Sequence, residues 1–220
     1  MYFGGGMGKE FIIGVIGAPN VGKTSLFNNI SGANEKVGNW PGTTVERVEK
    51  KVNFGGKVIK FVDVPGTYSL SASSLDEKIA RDFILGEKPD LVVVVVNATN
   101  LYNSLFLVLE VLELGFDVIV ALNMIDIAQK NGIKIDIQKL SQALGVKVIP
   151  TVGRTSKGVV ELKKEILQEI EKISKEGKKP KSFSIPYPSP IEEGISKIIS
   201  LFKEKNISTS LNIRGVAVKI

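Results

Sequence analysis

The stretch that decides the fold of this chain runs from residue 17 to residue 24 and contains Gly17-Ala18-Pro19-Asn20-Val21-Gly22-Lys23-Thr24. It matches the pattern G-x-x-x-x-G-K-[ST], and it lies between an apolar run, Phe11 to Gly17, and a predicted helix that begins at Lys23. Because glycine has no side-chain bulk, Gly17 and Gly22 allow successive backbone N–H groups and the helix N-terminus to point at phosphate oxygens. The sequence therefore predicts a phosphate-binding loop between a strand and a helix.

Two side chains at the end of this loop have predicted roles of their own. Lys23 would reach the β and γ phosphates of a nucleotide, and the Thr24 hydroxyl would bind Mg²⁺, a hard ion that prefers oxygen ligands. The candidate nucleotide-binding residues in and beside the loop are Gly17, Ala18, Pro19, Asn20, Val21, Gly22, Lys23, Thr24 and Ser25.

A second motif, Asp63-Val64-Pro65-Gly66, has the form D-x-x-G and ends a predicted strand. The Asp63 carboxylate can hold the Mg²⁺ shell there, and the flexible Gly66 can sense a γ-phosphate. A motif this short also occurs by chance as an ordinary turn. Its position after a buried strand, downstream of the phosphate loop, favours the role in phosphoryl transfer.

A third motif, Asn123-Met124-Ile125-Asp126, has the form N-x-x-D and follows another apolar strand. The Asp126 carboxylate can accept hydrogen bonds from guanine N1–H and the 2-amino group, whereas adenine offers neither donor. The motif therefore predicts selection of guanine by Asn123, Met124 and Asp126. The alternative is that Asp126 is simply a helix N-cap after a strand.

Short β-rich runs alternate with helical patterns along the chain, which predicts an α/β domain with a mostly parallel sheet and helices on both faces. Six strands are expected: Phe11 to Gly17, Glu46 to Phe54, Lys57 to Val62, Asp90 to Asn97, Asp117 to Asn123 and Lys147 to Thr151. The clearest early helices are Asp76 to Leu85, Asn100 to Leu114 and Ile137 to Leu144. Gly55-Gly56 predicts a hairpin between the second and third strands.

The C-terminal part of the chain differs in pattern from the rest. An apolar stripe from Val159 to Ile173 predicts a long helix that closes the α/β domain, and the Pro-rich stretch Glu176 to Pro190 predicts a linker. We expect a flexible start over residues 1–10, the α/β domain over residues 11–175, and a linker with a small helical appendage over residues 176–220. Because the chain is still apolar at its end, we expect this appendage to be truncated.

Composition narrows the chemistry that the chain can perform. Hydrophobic residues are 43% and charged residues 24% of the 220 residues, as in ordinary globular proteins, and cysteine and histidine are absent. Thiol catalysis, zinc fingers and imidazole bases are therefore excluded, and no first-row metal site is expected. The aliphatic runs, such as Leu91 to Val96, are too short to cross a bilayer. The net charge of +6 leaves nucleic acid or an anionic membrane open as partners.

Together the motifs resemble those of Ras-like G domains of the translation-factor type. Within that class, residues 11 to 165 resemble the N-terminal cytosolic G domain of the ferrous-iron transport protein B family. The segments that carry this resemblance are Gly38-Asn39-Trp40-Pro41-Gly42-Thr43-Thr44-Val45-Glu46 (switch I below), Asp63-Val64-Pro65-Gly66-Thr67-Tyr68-Ser69-Leu70 (switch II) and Asn123-Met124-Ile125-Asp126. The resemblance implies a Ras-like P-loop GTPase fold that binds GTP and GDP, hydrolyses GTP, and is coupled to Fe²⁺ uptake through a membrane domain of the same polypeptide.

The resemblance also implies roles for individual residues. Thr44 would be the switch I threonine that meets Mg²⁺ and the γ-phosphate, with Thr43 as the competing candidate. Asn20 would bind an activating K⁺ together with backbone carbonyls near Asn39 and Trp40, although it is also explained as a loop-stabilising asparagine. The catalytic candidates are Lys23, Thr44 and Asn20, the Mg²⁺ candidates are Thr24, Thr44 and Asp63, and the switch I contacts to nucleotide are Asn39, Trp40, Pro41, Gly42, Thr43 and Thr44.

Thr67 and the segment over residues 151–154 depart from the commonest G-domain pattern, and the role of Trp40 is open. Thr67 stands where Ras-like enzymes have a water-orienting glutamine, which predicts slow intrinsic turnover. Thr151-Val152-Gly153-Arg154 replaces the usual base-clamping motif, so Val152, Gly153 and Arg154 should offer only backbone contacts and allow fast nucleotide release. Trp40 is either a landmark of a mobile switch loop, which the flanking glycines favour, or a partly exposed aromatic.

The resulting hypothesis is a Mg²⁺-dependent GTPase switch, stimulated by K⁺, at the cytoplasmic face of the cell membrane. Its partners are guanine nucleotide and the membrane domain of the same polypeptide, no nucleic acid is expected, and oligomerisation stays open. One alternative is an RNA-binding assembly GTPase of the Era or TrmE type, which shares the P-x-N loop and a basic charge. Another is a nucleotide-binding scaffold that does not hydrolyse GTP.

Overall fold

The structure, a computed structural model, describes residues 9–32, 35–54 and 56–219. Over these residues it contains a mixed sheet and eight α-helices. The strands are β1 Glu10–Gly17, β2 Glu35–Asn39, β3 Glu46–Phe54, β4 Lys57–Asp63, β5 Leu91–Asn97, β6 Val118–Asn123 and β7 Lys147–Pro150. The helices are α1 Lys23–Ser31, α2 Leu75–Asp82, α3 Leu101–Glu113, α4 Ile125–Lys130, α5 Ile137–Leu144, α6 Val159–Glu176, α7 Ser189–Glu204 and α8 Ile213–Val218.

The strands lie in the order β2-β3-β4-β1-β5-β6-β7. Five of them, from β4 to β7 in this order, are parallel, and β3 and β2 add antiparallel pairs at one edge. The predicted α/β fold with a mostly parallel sheet is therefore confirmed. Because the carboxyl ends of parallel strands meet at one edge of a sheet, the loops after β1, β4 and β6 lie along the same side of the molecule.

The predicted count of six strands is wrong by one, because β2 is a seventh strand. All five residues of β2 are exposed, and Val37 is its single large apolar residue. The strand is held by its backbone pairing with β3, where Val37 lies opposite Val48. A strand with no buried face lacks the alternation of apolar and polar residues that would mark it in the sequence.

The predicted hairpin between β3 and β4 is present, since Phe54 is paired with Lys57 and Gly56 has a φ of 77°. Gly55, the other residue of the predicted turn, lies outside the described residues, as do most of the predicted start over residues 1–10. The strand β1 begins at Glu10.

Helices cover both faces of the sheet, as predicted. On one face α1 and α6 pack against the sheet, and the whole predicted stripe of α6 is buried: Val159, Leu162, Ile166, Ile170 and Ile173. On the other face α2, α3, α4 and α5 cover the second half of the core. The near-continuous apolar strands β5 and β6 contribute to both halves because a central parallel strand is buried on each side.

The predicted helix over Asp76 to Leu85 is interrupted. α2 ends at Asp82 and continues as a π-helical turn, Phe83–Glu87, which places the Phe83 ring directly above Gly14 of β1. A Cβ atom at Gly14 would lie 2.5 Å from Phe83 Cε1, so this glycine makes room for the ring. The turn brings Glu87 to the guanidinium of Arg47, where Nη2 donates to Glu87 Oε2 at 2.8 Å.

The C-terminal appendage, residues 177–219, packs against the loop that follows α3. Lys181 N donates to Gly115 O at 2.8 Å, and Asn212 N donates to Leu114 O at 3.0 Å. Gly215 of α8 lies so close to Glu113 O that a Cβ atom would overlap it. The Tyr187 hydroxyl donates to Glu113 Oε2 at 2.9 Å, and burial together with this carboxylate raises the pKa of Tyr187 to about 12. The phenol therefore remains a donor at neutral pH.

In the described part of the chain, none of the helices has the length and apolar character required to span a bilayer.

Two glycines with left-handed backbone conformation give a prediction about stability. Gly158, before α6, has a φ of 78° and a Cβ there would overlap Pro150 O, whereas Gly145 has a φ of 67° and open space around it. We expect Gly145→Ala to lower the free energy of unfolding by about 1–2 kcal/mol, the cost of the left-handed conformation for a residue with a Cβ. Gly158→Ala should cost a further ~1–3 kcal/mol from steric overlap. Urea unfolding measures both, and equal losses would contradict the steric argument.

Candidate functional site

The predicted phosphate loop joins β1 to α1. Ala18 and Val21 are buried and anchor the loop, whereas Pro19 and Asn20 at its tip are exposed. Asn20 and Gly22 have left-handed backbone conformations, with φ values of 62° and 81°. Left-handed residues in a short loop turn successive N–H groups towards one side, and such concave backbone surfaces bind anions. Thr24 and Ser25 lie exposed in the first turn of α1.

The two glycines of the loop are also required by packing. A Cβ atom at Gly17 would lie 2.6 Å from Val95 O of the neighbouring strand β5, and one at Gly22 would overlap Nδ2 of Asn123. Gly66 of switch II similarly lies against the loop, where its Cβ would be 3.2 Å from Pro19 Cα. The loop is thus enclosed by protein on the side opposite its exposed tip.

Lys23 and Asp63 form an ion pair between Lys23 Nζ and Asp63 Oδ1. Both side chains are largely buried, with 10% of Lys23 and 14% of Asp63 exposed. Burial raises the pKa of the Asp63 carboxyl above its usual value, although the neighbouring Lys23 ammonium opposes that increase. The structure therefore brings together the predicted phosphate-binding lysine and the predicted carboxylate of the metal shell.

Switch II is tied to the phosphate loop by its backbone. Val64 N donates to Val15 O at 3.1 Å, and Thr67 N donates to Gly17 O at 2.9 Å. The Thr67 side chain is buried, and its hydroxyl donates to Ser69 O at 2.7 Å. The hydroxyl at the position of the missing glutamine is thus engaged within switch II.

Asn123 connects three segments through its side-chain amide. Nδ2 donates to Val21 O of the phosphate loop at 2.8 Å, and Oδ1 accepts from Gly153 N at 2.9 Å and from Thr151 Oγ1 at 3.3 Å. The residue is buried at the end of β6. The sequence predicts Asn123 at the base of a nucleotide but not this bridging role, because all of its partners are distant in sequence.

Met124 and Asp126 follow Asn123 at the start of α4. Met124 has a left-handed conformation, with a φ of 61°, and is the N-cap residue of the helix. Asp126 is partly exposed in the first helical turn and is therefore not the cap. This position does not support the alternative interpretation of Asp126 as an N-cap, and it leaves the carboxylate accessible from solvent.

The backbone groups of the segment after β7 are hydrogen-bonded to other groups of the protein. Val152 N donates to Lys157 O at 3.0 Å, and Val152 O accepts from Thr155 N at 3.1 Å. Gly153 O accepts from Asn29 Nδ2 at 2.8 Å, a contact that the sequence did not predict, and Gly153 N is bonded to Asn123. Arg154 is exposed. Of the three predicted base-clamping residues, Val152 and Gly153 thus have most of their backbone groups already paired.

In switch I, Thr43 and Thr44 differ in their surroundings. The Thr43 hydroxyl donates to Trp40 O at 3.1 Å and accepts from Val45 N at 3.2 Å, so it closes a local turn. Thr44 is exposed. This difference favours Thr44 as the residue with a hydroxyl available to a ligand. Asn39, Pro41 and Gly42 are also exposed, with Asn39 at the end of β2.

The alternative interpretation of Trp40 as a partly exposed aromatic is wrong, because the residue is 4% exposed. Its ring packs edge-to-face against Phe83 at 5.8 Å, and the Arg47 guanidinium lies 4.4 Å from the ring centroid. Burial of a large aromatic ring is favourable enough to fix the side chain even between the flexible residues Gly38 and Gly42. The Trp40 carbonyl, one of the carbonyls proposed near the K⁺ site, accepts hydrogen bonds from Thr43 N and Oγ1.

A glycine-containing loop between β1 and α1, a lysine–aspartate pair from that loop and the end of β4, and an N-x-x-D segment after β6 together define a Ras-like P-loop GTPase domain. The sequence model described as "Ferrous iron transport protein B" matches residues 11–166. The chain belongs to the ferrous iron transport protein B family and contains its G domain.

Relatives and solved structures agree with this assignment. The chain is 50% identical over 159 residues to the Fe(2+) transporter FeoB of Shigella flexneri, which covers 70% of this chain and 21% of that protein. It matches the cytosolic domain of FeoB from T. maritima in apo form with 40% identity and a TM-score of 0.84, over 96% of this chain and 81% of the other. For the cytosolic domain of L. pneumophila FeoB the identity is 33% and the TM-score 0.81, over 94% and 84% of the two chains.

The chain thus spans about a fifth of the length of the curated relatives that it matches. The family assignment favours the iron-transport hypothesis over the RNA-binding alternative.

Asn123 and Asp126, the two polar residues of the N-x-x-D motif, should contribute differently to the free energy of unfolding, because Asn123 is buried and makes three side-chain hydrogen bonds. Asn123→Ala removes three hydrogen bonds and leaves the buried Val21 O and Gly153 N without these partners. We expect the free energy of unfolding of the nucleotide-free protein to decrease by about 2 kcal/mol or more, since each buried unpaired group costs about 1–3 kcal/mol. Asp126→Ala, the control, should change it by less than about 0.5 kcal/mol. Equal effects in urea unfolding would contradict the bridging role of Asn123.

Proposed function

We propose that this chain binds guanine nucleotides and hydrolyses GTP to GDP and phosphate, as the cytosolic switch of a ferrous-iron transporter. The observation that carries the proposal is the direct bonding of switch II and of the N-x-x-D motif to the phosphate loop. Thr67 N of switch II bonds to Gly17 O, and Asn123 Nδ2 bonds to Val21 O, so phosphate, metal and base candidates lie along one edge of the sheet. The T. maritima relatives are described in a GDP form and a GMPPNP form, which supports the proposed ligand.

Binding of the nucleotide would replace the ion pair at the centre of the site. Lys23 and Asp63 neutralise each other in the structure. A triphosphate with its metal ion offers each of them a new partner of opposite charge, phosphate oxygens for Lys23 and the cation for Asp63. The exchange keeps both buried charges paired, so it avoids the cost of an isolated charge in a desolvated position.

The proposed donor set of Thr24, Thr44 and Asp63 suits Mg²⁺. Thr24 and Thr44 are exposed residues with hydroxyl groups and Asp63 adds a carboxylate, and these are the hard oxygen ligands that Mg²⁺ takes. When bound, the ion would neutralise negative charge on the β and γ phosphates. Burial raises the pKa of the Asp63 carboxyl, and a bound cation would oppose that increase because it favours the charged form.

Hydrolysis by this domain alone should be slow. Thr67 occupies the position of a water-orienting glutamine, and its buried hydroxyl is bonded to Ser69 O. Charge stabilisation therefore depends on Lys23, the loop amides and the cations. Since most backbone groups of Val152 and Gly153 are already paired, we also propose a weak clamp on the base and fast nucleotide release.

At the level of the whole protein, we propose that residues 11–175 form the switch and that the unit over residues 176–220 passes its state to a membrane domain of the same polypeptide. The site of action would be the cytoplasmic face of the cell membrane. Fe²⁺ is the cargo of that membrane domain in this proposal.

Base selection by Asp126 gives the principal test. We expect the wild type to bind a fluorescent GTP analogue at least about tenfold more tightly than the ATP analogue, because adenine would leave the carboxylate unpaired. Asp126→Asn should lose about tenfold or more of its GTP affinity and should prefer xanthosine triphosphate, whose 2-carbonyl accepts from the new amide. Equal affinities of the wild type for GTP and ATP would refute guanine selection, and an unchanged preference in the variant would refute the role of Asp126.

Potassium stimulation is tested at Asn20 with a variant chosen from its backbone. Because Asn20 has a φ of 62°, Asn20→Gly removes the side-chain oxygen and still permits the left-handed conformation, whereas alanine would strain the loop. We expect phosphate release by the wild type to be on the order of tenfold faster in KCl than in NaCl, or about 1.4 kcal/mol of barrier. Asn20→Gly should be equally slow in both salts while keeping its GTP affinity. Stimulation that persists in the variant would exclude Asn20 as a K⁺ ligand.

A further inference from the structure

One buried carboxylate contacts both switch II and the C-terminal appendage. Glu110 lies one turn before the end of α3 and is 5% exposed. Its Oε2 accepts from Leu70 N at 2.8 Å, and its Oε1 accepts from Lys219 Nζ. Leu70 is the last residue of switch II, and Lys219 is the C-cap residue of α8. The Leu70 amide and the Lys219 ammonium thus donate to the two oxygens of the same carboxylate.

The Leu70 end of switch II is fixed by this contact. At the other end, Thr67 N is bonded to Gly17 O of the phosphate loop. The Leu70 side chain is buried in the core, so its amide has few alternative positions. A movement of switch II at Asp63 would therefore displace the backbone through Thr67 to Leu70. Because the Leu70 amide bonds to Glu110, the movement would also shift the Glu110 carboxylate.

On the other side, α8 is held against the end of α3. Gly215 packs on Glu113 O without room for a Cβ atom, and Asn212 N is bonded to Leu114 O at 3.0 Å. Lys219 is the residue of α8 that bonds to the Glu110 carboxylate. The distance between α8 and α3 is thus set by backbone contact, and the strength of the Lys219 ion pair depends on where the Glu110 carboxylate points.

We propose that Glu110 is a positioning residue that couples switch II to α8. The inference rests on the proposed function, because the γ-phosphate is what would move switch II. A change at Leu70 alters the orientation of the carboxylate that Lys219 bonds, and by thermodynamic linkage a change at Lys219 alters the nucleotide preference. Glu110 is not among the candidate nucleotide or metal residues, and it acts through the Leu70 amide.

Lys219→Met is the first test, because methionine keeps most of the length and apolar bulk but removes the charge. The wild type is loaded with GDP or GMPPNP and Mg²⁺, and hydrogen–deuterium exchange is followed for the amides of α8. We expect exchange rates of α8 to differ by about fivefold or more between the two nucleotides, a typical coupling between linked sites. In Lys219→Met this difference should disappear, and the ratio of GDP to GMPPNP affinity should shift by the same factor.

Lys181→Met is the matched control. It removes another ion pair between the appendage and the domain, Lys181 Nζ to Asp117 Oδ1 at 2.9 Å. Asp117 precedes β6, which is separated from β4 and switch II by β1 and β5. A purely structural role of Lys219 would give both variants the same loss of stability and leave the affinity ratio unchanged in both. The proposed coupling changes the ratio in Lys219→Met alone.

Glu110→Gln tests the carboxylate itself. Glutamine keeps an acceptor for Leu70 N but offers no charge to Lys219, so GTP binding should persist while the nucleotide dependence of α8 exchange is lost. The coupling is overturned if α8 of the wild type exchanges alike in both nucleotides, or if Lys219→Met and Glu110→Gln keep the wild-type difference and affinity ratio. Failure of the wild type to bind guanine nucleotide would overturn the proposed function and this inference together, whereas normal binding with unchanged variants would overturn this inference alone.

Discussion

The side-chain amide of Asn123 is the interaction on which the rest of the site depends. One planar group donates to the phosphate loop and accepts from the segment after β7, so it fixes two loops against the end of one central strand. The contact with the loop is so close that only glycine fits at position 22. A central strand of a parallel sheet is the least mobile platform for such a group, because it is buried on both faces. The positions of the loops therefore derive from the rigidity of β6.

The Lys23–Asp63 pair explains how two opposite charges can be buried beside the phosphate loop. A lysine ammonium and a carboxylate are both costly to bury alone. Next to each other, the two groups form an ion pair, and this pair connects the end of the phosphate loop to the end of β4.

The sequence predicts the α/β fold and the positions of its motifs well because these depend on local patterns. The run Leu91 to Val96 has the short length and the β-branched composition of a buried strand, and the glycines and lysine of the phosphate loop have a known spacing. The features that escaped prediction depend on distant partners or on the absence of burial. β2 has no buried face. Trp40 is held by Phe83 and Arg47, which belong to other elements. The sequence around Glu110 does not distinguish it from other helical glutamates, because its partners Leu70 and Lys219 are distant in sequence.

The packing of Trp40 has a practical consequence. It is the single tryptophan of the chain, and it lies in switch I with its ring enclosed by Phe83 and Arg47. Indole emission depends on the polarity around the ring and on nearby charge. Any rearrangement that lifts switch I from the π-helical turn therefore transfers the ring to water and changes its spectrum. Trp40 is thus a native optical probe of any such rearrangement, and kinetic measurements can follow it without attached dyes.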